Sequence, residues 1–149
     1  MIQNHPTSQP LFLYLPSQDT HGPSEVPSSY LEPYERLIED PVRRQLAAKL
    51  SVLDELVKNV TEALEAKNML KNTLIIYTAD NGGPILQSCG GPTDAIGASN
   101  YPLRGGKHNA YEGGVRSTAW ISGGPLDDAV VAAGGVAPSL STHRRITGD

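Results

Sequence analysis

Cysteine is nearly absent from this chain. The single Cys89 excludes an internal disulfide framework and any cysteine-rich zinc site. There is no uninterrupted apolar run of about 18 residues, so no membrane-spanning helix is predicted. A basic excess is also missing: 12 Lys and Arg stand against 16 Asp and Glu, a net charge of −4. That balance argues against a protein that neutralises a phosphate backbone. The opening Met1-Ile2-Gln3-Asn4-His5-Pro6 lacks the charged-then-apolar pattern of a secretory signal, so none is expected within the chain. No Walker A loop, G-x-G-x-x-G turn or G-x-S-x-G elbow occurs, which leaves nucleotide binding and serine-triad catalysis without support. The four histidines are scattered without the short spacing of a zinc site.

What is present is ordered by glycine and proline. Seven of 12 prolines lie at or before Pro41, 13 of 15 glycines lie between Gly82 and Gly135, and residues 42–79 contain neither. A regular centre flanked by punctuated, loop-rich ends is the expected organisation. Leu11-Phe12-Leu13-Tyr14-Leu15, closed by Pro16, reads as a strand buried on both faces. A polar, proline-rich connection follows to Asp40-Pro41, a helix start with aspartate as N-cap and proline in the first turn. Leu46, Leu50, Leu53, Val57, Val60 and Leu64 then recur at helical spacing. They predict an amphipathic helix to about Asn68, itself a left-handed terminator, with Asp54 and Lys58 paired one turn apart. Leu74-Ile75-Ile76-Tyr77-Thr78-Ala79 predicts a second buried strand, and residues 117–122 a third. Strand, helix and strand together imply an α/β fold with a right-handed crossover in a mostly parallel sheet flanked by helices.

The chemistry lies after the second strand. Asp80-Asn81-Gly82-Gly83 puts a carboxylate and an amide oxygen, both hard donors suited to calcium or magnesium, at a strand's carboxyl end. Asp80-Asn81-Gly82 is also a common turn sequence, and from the Asp-Asn dipeptide alone a turn is the better reading. Arg104 and Lys107 stand in a glycine-flanked loop that lets cations approach an oxyanion, although surface exposure is the ordinary state of such residues. His21 is a candidate general acid or anion ligand, although a histidine in a polar loop is ordinarily just exposed. Asn59-Val60-Thr61 is a glycosylation sequon, meaningful only in a secreted protein. Cys89 is given no role.

In order and spacing these blocks resemble the type I sulfatases of the alkaline-phosphatase superfamily, in the arylsulfatase B-like group. The blocks are Pro10 to Leu15 leading to His21-Gly22-Pro23, then Tyr30-Leu31-Glu32-Pro33-Tyr34, then Thr78-Ala79-Asp80-Asn81-Gly82-Gly83. They continue with Tyr101-Pro102-Leu103-Arg104-Gly105-Gly106-Lys107 and Tyr111-Glu112-Gly113-Gly114-Val115-Arg116. The resemblance spans 10–126, expected to be part of a sulfatase catalytic domain, with 1–9 and 127–149 as weakly structured ends. It implies that Asp80 and Asn81 complete a Ca2+ site, that Lys107 binds the sulfate, and that His21 contacts it near the leaving oxygen. It further implies a sulfuric ester hydrolase acting on a sulfate ester, such as a sulfated N-acetylgalactosamine unit of a glycosaminoglycan. A lysosomal or secreted full-length protein, glycosylated at Asn59, goes with that reading.

Some of the family's pattern is missing. The C-x-P-S-R motif that becomes the formylglycine nucleophile is absent, since Cys89 is followed by Gly90, Gly91 and Pro92. The N-terminal aspartate pair and the lysine and histidine that grip sulfate are absent as well. The chain therefore reads as a central fragment, inactive alone. The alternatives are a non-catalytic relative that binds sulfated glycans or a partner, and a phosphohydrolase of the same superfamily. The block at 103–107 argues against the latter. Incomplete sheet edges also predict exposed apolar surface and poor solubility for the isolated chain.

Overall fold

The structure is a computed structural model and describes residues 1–85, 97–124 and 126. Its spine is a helix at Pro41–Ala66, preceded by a short helix, α1, at Ser28–Leu31; the spine is α2. The Asp40 carboxylate accepts hydrogen bonds from the Val42 and Arg43 amides at 2.8 and 3.0 Å, and Pro41 costs nothing at a position whose N–H has no helical partner. Asp40→Ala is expected to lower stability by about 1 kcal/mol; chemical denaturation of the full-length protein checks it. At the other end Asn68 turns left-handed at φ 56, and its amide and that of Met69 return to the Glu65 and Leu64 carbonyls. Both helix boundaries lie within two residues of those expected.

The connection before α2 is lashed to it. The Tyr30 hydroxyl donates to Glu55, the Tyr34 hydroxyl lies 2.6 Å from Ser51 Oγ, and Gln45 donates to the Ser24 carbonyl. Lys58 pairs with Glu62 at 3.7 Å, the next turn on, and not with Asp54 as expected. Both partners are well exposed, so the pair contributes little.

The sheet departs from the expected one. Strand β1, Leu74–Thr78, pairs antiparallel with β2, Ala119–Gly123, in the register Leu74↔Gly123 to Thr78↔Ala119. The parallel crossover is not formed among the described residues. The third predicted strand is present as β2. A one-turn helix, α3, at Glu112–Val115 precedes it, and the chain then runs back along β1. Tyr77 and Trp120, directly opposite in that register, stack with centroids 5.4 Å apart and rings 9° from parallel. Residues 11–15 adopt no strand. A lone extended segment has no ladder partner for its amides and carbonyls, and Phe12 and Tyr14 stand 91% and 76% exposed. β1 is not buried on both faces either: Ile75 and Tyr77 face inward, while Leu74 and Ile76 are open.

The buried apolar core among the described residues comprises Ile2, Ala48 and Leu64. Ile2 belongs to a 3-10 turn, Ile2–Asn4, which packs on α2. Against so small a core the uncovered apolar surface is large, as the sequence led one to expect. The isolated 149-residue chain should therefore self-associate in light scattering; a monomer with a cooperative melt would contradict this. Cys89 and residues 127–149 lie outside the described residues.

Candidate functional site

The strand end is built by main-chain bonds. Beyond β1 the Ala79 amide donates to the Thr118 carbonyl at 2.9 Å, and Ser117 Oγ donates to the Ala79 carbonyl at 2.8 Å. These bonds hold Asp80 and Asn81 at the strand's carboxyl end. The Gly82 amide then donates to Gly114 O at 2.9 Å, the Lys107 amide to Gly83 O at 3.1 Å, and the Gly113 amide to Arg104 O at 2.8 Å. The blocks at 80–83, 103–107 and 111–116, separate in sequence, are thus one woven cluster. Glycine is required for so close an approach: a Cβ on Gly82, Gly113 or Gly114 would overlap a facing backbone carbonyl.

Asn100 ties the cluster and was not singled out in the sequence. Its Oδ1 accepts from the Gly83 amide at 2.9 Å, and its Nδ2 donates to the Gly83 and Gly105 carbonyls at 2.8 and 3.0 Å. It lies in an aperiodic stretch, where an asparagine is an ordinary loop residue and carries no signal of its own.

The cluster presents a definite set of charges. The Arg104 guanidinium lies 4.0 Å from the centre of the Tyr111 ring, so it is held in a cation–π contact. Arg116 pairs with Glu112 at 3.8 Å. The half-buried Lys107 makes no side-chain hydrogen bond or ion pair among the described residues. Of the three cations Arg104, Lys107 and Arg116, it is the one with no side-chain partner among the described residues. Asp80 is exposed, and the half-buried Asn81 donates through Nδ2 to Gly82 O at 2.8 Å. Among the described residues no group of three or more His, Cys, Asp or Glu is placed to hold a metal. Asp80 and Asn81 fit calcium in kind, as hard oxygen donors, but supply only part of the six or more oxygens it takes.

His21 stands elsewhere, in a cleft of about 360 Å³ lined with Asp19, Glu25, Lys49 and Val52; Asp80, Asn81 and Lys107 do not line it. A carbonyl can only accept, so the 2.8 Å contact between His21 Nδ1 and Gly22 O places a proton on Nδ1 and leaves Nε2 for exchange. Lys49, whose place in the sequence carries no signal of a role, is 2% exposed and donates from Nζ to the His21 carbonyl at 2.5 Å. Burial pushes its ammonium pKa down, and Asp19 partly opposes that shift. Asn59 is exposed on α2, while the Thr61 hydroxyl of its sequon bonds back to the Val57 and Lys58 carbonyls.

Comparison with known proteins gives a consistent set of matches. The family model described as Sulfatase matches residues 1–123. Arylsulfatase J of Mus musculus is 41% identical over 121 residues, 81% of this chain and 19% of that protein. Arylsulfatase A of Homo sapiens is 33% identical over 111 residues, 74% of this chain and 19% of that protein. N-acetylgalactosamine-6-sulfatase of Mus musculus is 28% identical over 121 residues, 80% and 21% respectively. Among solved structures, Ps i-CgsB in complex with k-i-k-neocarrahexaose superposes with a TM-score of 0.58 at 30% identity, over 68% of this chain and 20% of that one. The chain spans about a fifth of the length of these relatives.

Proposed function

The chain belongs to the sulfatase family, and from that premise we propose that the full-length protein hydrolyses sulfate esters, with this chain supplying the strand-end part of the site. It carries part of the alkaline-phosphatase-like fold of that family. The observation that carries the functional reading is Lys107: a half-buried cation, fixed by its own backbone bond to Gly83, whose charge is not spent on a neighbour among the described residues.

Lys107 holds a sulfate oxygen and offsets the charge that gathers on the oxygens as the sulfur–oxygen bond breaks. Asp80 and Asn81 would contribute oxygens to a calcium ion, whose remaining ligands would come from other parts of the protein. Calcium, where bound, supplies further positive charge to the sulfate oxygens. His21 acts as the imidazolium: it keeps Nδ1–H on Gly22 O, gives its Nε2 proton to the departing alcohol oxygen, and is left as the neutral Nδ1–H tautomer. The nucleophile, a formylglycine in this family, comes from outside this chain.

The substrate proposed is a sulfated N-acetylgalactosamine unit, in keeping with the relatives named for that sugar. Exposure of Asn59 supports glycosylation there, and with it passage through the secretory route to a lysosomal or external location. The open apolar faces of residues 11–15 and of β1 support a fuller, mostly parallel sheet in the whole protein, with 11–15 as one of its strands.

The test is turnover of an aryl sulfate by the full-length protein, lost on calcium chelation and restored by added calcium, with the matching phosphate ester left intact. Binding of sulfated glycan without turnover would make it a binding protein instead. The 149-residue chain by itself is expected to give no turnover. Calcium-dependent hydrolysis by that chain would overturn the division of the site proposed here.

A further inference from the structure

Among the described residues Lys49 is the buried charged side chain, and it is spent on one loop carbonyl. An ammonium withdrawn from water is costly unless hydrogen bonds or an opposite charge compensate it, so the bond that Lys49 does make is one it loses only at a cost. The partner is 28 residues away in sequence, on the exposed loop that carries the imidazole. That loop is also pinned by Gln45, one turn earlier on α2, through the Ser24 carbonyl. Two long side chains of a capped, 26-residue helix therefore hold a segment that has no regular structure of its own before α1.

Lys49 acts at the end of the loop that matters. Its Nζ bonds the carbonyl of His21 itself, while the ring of His21 is turned by its own contact with Gly22 O. Main-chain position and ring orientation are thus set separately, the first by Lys49 and the second by the Gly22 carbonyl. We infer that Lys49 is a positioning residue for His21, anchoring its backbone to α2 so that Nε2 meets the leaving oxygen of a sulfate ester. This rests on the hydrolytic reading above, in which His21 is the proton donor.

The consequence depends on the leaving group. A poor leaving group such as a sugar alcohol needs the proton; an activated nitrophenolate hardly does. Lys49→Met keeps the length and the helix while removing the donor. In the full-length protein it is expected to lower kcat/KM on a sugar sulfate about tenfold more than on a nitrophenyl sulfate, the scale on which misplacing a proton donor costs rate. In a His21→Ala background the same substitution should add no further discrimination, since the two residues act as one unit. Equal losses on both substrates, or an undiminished effect beside His21→Ala, would overturn the assignment. If the wild-type protein hydrolyses no sulfate ester, the functional reading falls, and amide hydrogen exchange judges Lys49 on its own. Faster exchange across residues 18–27 in Lys49→Met keeps the anchor, and unchanged exchange removes it.

Discussion

Replacing Lys107 by alanine in the full-length protein should lower kcat for a sulfate ester by about 10²- to 10³-fold, the usual cost of deleting one preorganised charge donor from a transition state. Arg104 is engaged with the Tyr111 ring and Arg116 with Glu112, so neither substitutes readily for the missing cation. Stability should barely change, within about 0.5 kcal/mol, because the Lys107 side chain holds no other described residue in place. Its backbone bond to Gly83 O survives the substitution. Lys107→Arg restores the charge but spreads it over a planar fork, so rescue should be partial. A Lys107→Ala protein with a kcat within threefold of wild type would remove this residue from the sulfate site.

Gly82→Ala has the opposite profile. A methyl group there meets the Gly113 carbonyl, which cannot swing aside as a flexible side chain would. The Gly113 amide is itself bonded to Arg104 O, and the Gly82 amide to Gly114 O. Relieving the clash means breaking at least one of these bonds, so a loss of about 3 kcal/mol or more is expected, at the upper end of overpacking costs. Thermal melting of the full-length protein measures it, and activity should fall with the folded fraction. Gly22→Ala is the internal control: nothing stands within 4 Å of its added methyl, and its melting should match wild type. If the two alanine variants melted alike, the close packing of the glycine cluster would not be what sustains the site.

These two positions also mark where sequence could and could not be read. The boundaries of α2 were legible because capping is local: Asp40, Pro41 and Asn68 act on amides and carbonyls within a few residues of themselves. β1 was legible as a strand from its β-branched run. β2 was legible too, as the strand expected at 117–122, but its pairing was not, because pairing depends on which backbone edge is within reach, and β2 meets β1 by an antiparallel return. Residues 11–15 have strand composition, yet composition forms no ladder without a neighbour. Asp80, Asn81 and Lys107 stand out through the order of their blocks, and the structure brings those blocks together through Gly82, Gly83, Gly113 and Gly114, while His21 lines a separate cleft. Asn100 and Lys49 escaped notice for one reason. Each works by bonding carbonyls distant in sequence, and nothing near them in the chain records that contact.

The main-chain weave around Gly82 also bears on how such a protein diverges. Its bonds run from amide to carbonyl, so they fix the cradle without consulting the side chains that point outward from it. Exposed positions such as Ser99, Ala110 and Thr118 are therefore free to drift, and with them the surface a sugar chain would meet. The proposed anion seat stays where the glycines put it. Selection for a new substrate can act on the outer residues while the cradle is inherited unchanged.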